Sequence, residues 1–72
     1  MPEVGVLVSV TDEHLDRLLE VSEQLQSRGM RVNQLLDQLG IITGSIDSTK
    51  IDDLQNVEGV SHVEQEQEFN AI

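Results

Sequence analysis

The chain has 72 residues, no cysteine, and fourteen Asp plus Glu against four Lys plus Arg, a formal net charge of −10. That length suits one domain spanning residues 1–72, a size that buries only about 60% of the surface its unfolded chain exposes. Without cysteine, neither disulfides nor thiolate metal sites can support the core, and the negative charge disfavours nucleic acid and anionic membrane surfaces, which recruit basic patches.

The N-terminus, Met1-Pro-Glu-Val, has no basic segment leading into a long apolar run. No signal peptide or membrane span is expected, and the expected location is cytoplasmic. Val4, Val6, Val8 and Val10 then alternate with Gly5, Leu7 and Ser9, the period-two pattern of a strand. Thr11 and Asp12 offer oxygen acceptors for a helix start, and Asp12, Glu13 and Asp16 place negative charge where the helix dipole favours it. Leu15, Leu18, Leu19, Ser22 and Leu25 follow at helical spacing, with Gly29 just beyond the last turn, predicting a helix over residues 12–28.

Residues 30–39 and 41–46, separated by Gly40, read as a hairpin: Met30 and Val32 alternate in the first arm, and Ile41, Ile42 and Ile46 enrich the second in β-branched residues. Ser48 or Thr49 is expected to cap a short helix carrying Ile51, Leu54 and Val57, which Gly59 ends. Val60 to Glu68 forms the last strand, so Glu64, Glu66 and Glu68 project from one face. Phe69, the one aromatic residue of the chain, follows close to its end. The tail 69–72 is expected to be flexible in the free protein, because a free end without a packed anchor gains little by ordering.

The order β-α-β-β-α-β predicts an α+β, ferredoxin-like sandwich: a four-stranded antiparallel sheet with both helices on one face. The other face is then open, a natural surface for a partner.

Two segments carry a family likeness. Gly40-Ile-Ile-Thr-Gly-Ser-Ile46 is similar to the third strand, and Leu54 with Val57-Glu-Gly-Val-Ser-His-Val-Glu64 to the second helix and last strand, of the propeptides of subtilisin-like serine proteases. The chain resembles that family and its free-standing relatives, the proteinase B inhibitor type. The resemblance implies an inhibitor or folding helper whose C-terminal residues enter the protease's cleft as an extended strand. By the same likeness, Glu64 and Glu66 match two carboxylates that cap helix N-termini on the protease. Ile72 would then take the primary specificity pocket, Ala71 the next subsite, Asn70 a solvent-facing one, and Phe69 the fourth, apolar pocket.

The residues alone also admit an acidic interaction module that homodimerises weakly through its open sheet face or an edge strand. Enzyme chemistry is not expected. Lys50, the single lysine, falls on a short acidic helix rather than in a pocket. No phosphate loop, nucleophile elbow or cysteine–histidine pair occurs. His14 and His62 are read as surface histidines rather than metal ligands, and no catalytic residue, metal or cofactor is expected.

Overall fold

The computed structural model describes residues 2–66. Strand β1 (Glu3–Val10) leads through a 3-10 turn (Asp12–Arg17) into helix α1 (Leu18–Ser27). Strands β2 (Arg31–Leu36) and β3 (Ile41–Asp47) form a hairpin. A second 3-10 turn (Ser48–Lys50) runs into α2 (Ile51–Leu54), and β4 (Val60–Gln65) closes the order. All strand pairs are antiparallel, in the spatial order β2-β3-β1-β4. This is an α+β domain of ferredoxin-like arrangement.

The valine alternation decides which sheet face is covered. Val6, Val8 and Val10 are buried with Ile42, Ile46 and Val63 of the neighbouring strands. Leu18, Val21 and Leu25 from α1 and Leu54 and Val57 from the α2 region close over them in one cluster. Cross-strand register agrees, for Val8 lies between Ile42 and Val63. Leu7, paired with Thr43 and Glu64, points to the opposite face.

Three local readings are corrected. The helix expected over 12–28 begins as a 3-10 turn, and Thr11 makes no side-chain cap. Its hydroxyl is taken up 2.9 Å from His14 Nδ1 instead. The expected apolar stripe holds at Leu18, Ser22 and Leu25 and differs around them. Val21 is buried in the place expected for Leu19, while Leu19 and Leu15 stay exposed. In the second helical segment the cap is Asp47 rather than Ser48 or Thr49, and its carboxylate accepts from the Thr49 amide at 2.9 Å. Finally, β2 ends at Leu36, leaving 37–40 as the turn, and Met30 joins the core just before the strand.

Gly59 is buried with φ +97° and accepts the Thr11 amide at 2.8 Å. A side chain there would press on Val21 and His14. The glycine therefore both ends the α2 turn and lets β4 start tight against α1.

Candidate functional site

β4 is an edge strand, hydrogen-bonded to β1 on one side only. Along it, Val63 faces the core, and the register sets His62 opposite Ser9 and Glu64 opposite Leu7, on the open face. Glu66 follows the same alternation: its amide donates to the Gly5 carbonyl at 2.8 Å, and its side chain lies over Gly5, where a Cβ would meet Oε1 at 2.8 Å. Gly5 thus makes room for a carboxylate that an alanine would displace. The expectation that Glu64 and Glu66 share a face holds, and that face is the one without helices.

The open face is mild in the middle and charged at its rim. Gly5, Leu7 and Ser9 of β1 lie beside Ile41, Thr43 and Ser45 of β3, all half-buried. Glu3 occupies one rim, accepting from the Ser45 hydroxyl at 3.2 Å and lying 3.8 Å from Arg31 Nε. Glu64 and Glu66 occupy the other rim, with His62 Nε2 3.5 Å from a Glu64 oxygen. That pair is well exposed on both sides, so it adds little to stability. The two carboxylates, about 7 Å apart along the strand, remain open to a partner. Glu68, Phe69, Asn70, Ala71 and Ile72 lie outside the described residues.

The remaining candidates are scattered. His62 is on the open face, whereas His14 is half-buried on the helix side, against Gly59 and 3.9 Å from Glu58. The two histidines therefore do not share a site. Among the described residues no group of three or more His, Asp or Glu side chains is placed to hold a metal ion. Lys50 is exposed at the end of the second 3-10 turn. A shallow hollow of about 280 Å³ lies between α1 and the α2–β4 turn, lined by His14, Arg17, Glu20, Val21, Gln24 and Glu58. Its Glu20 and Glu58 carboxylates and the Arg17 guanidinium lie on a surface open to water, where charged groups are screened and hold a ligand weakly. No helix is long and apolar enough to cross a membrane among the described residues.

Residue-by-residue reading missed the opposite edge. Leu15, Leu19, Leu35 and Leu39 are the large apolar side chains left exposed among the described residues; Leu15, Leu35 and Leu39 fall at the end of the molecule where the β2–β3 hairpin turns, and Leu19 follows on α1. Their signal in the sequence was an excess of leucine over what one narrow helical stripe and one hairpin can bury.

No family model matches the chain, and neither do the curated proteins or solved structures it was compared with. The chain is a small α+β domain with a four-stranded antiparallel sheet.

Proposed function

We propose that the chain is a non-catalytic, stand-alone inhibitor or folding helper of a subtilisin-like serine protease, of the kind the propeptide resemblance implies. The observation that carries this reading is the placement of Glu64 and Glu66 side by side on the helix-free face of an edge strand. Helix N-termini present unpaired N–H groups and partial positive charge, so a partner that offers two of them binds such carboxylates. The open face between Glu64 and Arg31, mild and half-buried, suits contact with that same partner. Phe69, Asn70, Ala71 and Ile72 then follow the edge strand into the substrate cleft, gaining affinity from backbone hydrogen bonds and selectivity from side-chain pockets. The branched Ile72 selects a protease whose primary pocket accepts a compact aliphatic group.

The test is a titration of a panel of subtilisin-like proteases with the intact chain and with a version ending at Glu68. The intact chain should slow at least one of them at micromolar concentration, or speed its refolding, and the shortened one should do neither. If the intact chain has no effect on any of them, the reading falls.

A further inference from the structure

The two edges of the sheet differ in charge. β4 carries Glu64, with Glu66 following, on a chain that already bears −10. β2, Arg-Val-Asn-Gln-Leu-Leu, contains no carboxylate and one cation, Arg31, at its start; Asp37 follows its end. Among the described residues the outer side of β2 has no strand beside it, and an uncovered edge presents unpaired backbone N–H and C=O groups.

The exposed leucines belong to this same edge. Glu20, Val21 and Gln24 of α1, with Arg17 just before it, line the hollow that faces Glu58, so this flank looks toward the α2–β4 side. Leu19 sits on the other flank of α1, toward β2, against which α1 packs, and Leu15 lies in the preceding 3-10 turn. Leu15 also abuts Gly40 at the hairpin end, next to Leu39. Leu35 pairs with the buried Ile42 and so lies on the helix-side face of the edge strand itself. Leu19 and Leu39 are 64% and 68% exposed, a poor use of leucine unless something covers them.

We propose that the β2 edge pairs antiparallel with the β2 edge of a second copy, about a two-fold axis near Leu35, joining two four-stranded sheets into one. Three observations select a second copy as the occupant. Arg31 and Asp37 flank the strand, so antiparallel self-pairing about Leu35 sets Arg31 of each copy opposite Leu39 of the other, two residues along from the turn residue Asp37. An axis near Leu35 sets Leu35 of each copy beside Leu35 of the other, an apolar contact meeting itself as a two-fold interface requires. The same pairing at β4 would set Glu64 against Glu64, so the charge pattern permits it at one edge and opposes it at the other. The bulge between Val32 and Gln34 falls in the first half of β2 and leaves Gln34 to Leu36 regular for pairing. The inference does not rest on the protease reading, since β4 and the open face remain free in such a dimer.

Sedimentation equilibrium of the full chain tests it, from micromolar to near-millimolar concentration at physiological salt. The average mass of the wild type should climb from 8.0 kDa toward twice that value. Leu35→Lys and Leu19→Lys, checked by circular dichroism for an unchanged fold, should each hold the protein at monomer mass throughout. Arg31→Asp and Asp37→Arg should each weaken association roughly threefold by setting like charges diagonally across the pair, and the double exchange should restore it. A wild type that stays monomeric overturns the proposal. So does an association that persists in both lysine variants, or one that is abolished by Leu7→Lys on the open face.

Discussion

The carbonyl oxygen of Arg31 occupies the space in which a side chain at Gly44 would begin. Gly44 pairs with Val32 at the point where the β2–β3 register slips, and the bulge presses the β2 backbone onto it. Alanine at this position must push a strand, not merely a flexible side chain. Gly44→Ala should destabilise the fold by about 1–3 kcal/mol, read as a lower midpoint in urea denaturation. An unchanged midpoint would mean that the bulge is free to relax.

Buried and exposed leucines of the two helices should differ sharply. Leu54 and Leu25 are fully buried, and Leu19 is mostly exposed. Leu54→Ala should cost about 2–5 kcal/mol, a large share of what a domain this small possesses. Leu19→Ala should change monomer stability by no more than about 0.5 kcal/mol. Thermal unfolding of dilute samples distinguishes them: the first variant melts far lower, or is unfolded at room temperature, and the second melts with the wild type.

Acid should release one local tie. Asp47 accepts from the Thr49 amide and, through the same oxygen, from its hydroxyl, each at 2.9 Å. The Thr49 amide first, and then its hydroxyl, hold the carboxyl below the usual aspartate range. A folded-state pKa below the unfolded one means that the contribution is complete above the unfolded value and is lost as pH falls through the folded value. Asp47→Asn should therefore show a shallower loss of stability than the wild type on the acid side of the normal aspartate range. Matching slopes for the two proteins would rule out the cap as a source of the pH dependence.

The carboxylates of β4 should matter to a partner and not to the fold. Glu64→Gln and Glu66→Gln each remove a charge from an exposed position, so the melting temperature should move little or rise slightly as self-repulsion falls. Inhibition of a responsive protease should weaken roughly two- to tenfold for each substitution if each carboxylate meets a helix N-terminus. Inhibition constants equal to that of the wild type would assign binding to the open face and tail alone.

Much of this architecture is legible along the chain. Val4 to Val10 announce a strand buried on one side, and the Val6, Val8 and Val10 set is indeed the covered one. Gly40 and Gly59 punctuate where the chain turns. The alternation from Val63 onward sends Glu64 and Glu66 to one face. Less legible were the caps and the phase of α1. Thr11 has the oxygen for a cap but spends it on His14, a choice made by the side chain three residues on and by Gly59 from across the fold. Leu19 fits a helical stripe as well as Val21 does, and it is Val21 that the packed fold buries.

By itself, the sequence determined the order of strands and helices, the buried face of β1, the shared face of Glu64 and Glu66 and the acidity of the chain, because all of these follow from local periodicity and composition. The tertiary structure alone decided the strand register, the bulge between Val32 and Gln34 and which leucines stay exposed, because these depend on contacts between residues far apart in the chain. The element order with right-handed crossovers already places β2 and β4 outermost. Once they are, an acidic edge with two aligned carboxylates and an apolar edge with opposite charges at its ends stand on opposite sides of one small sheet.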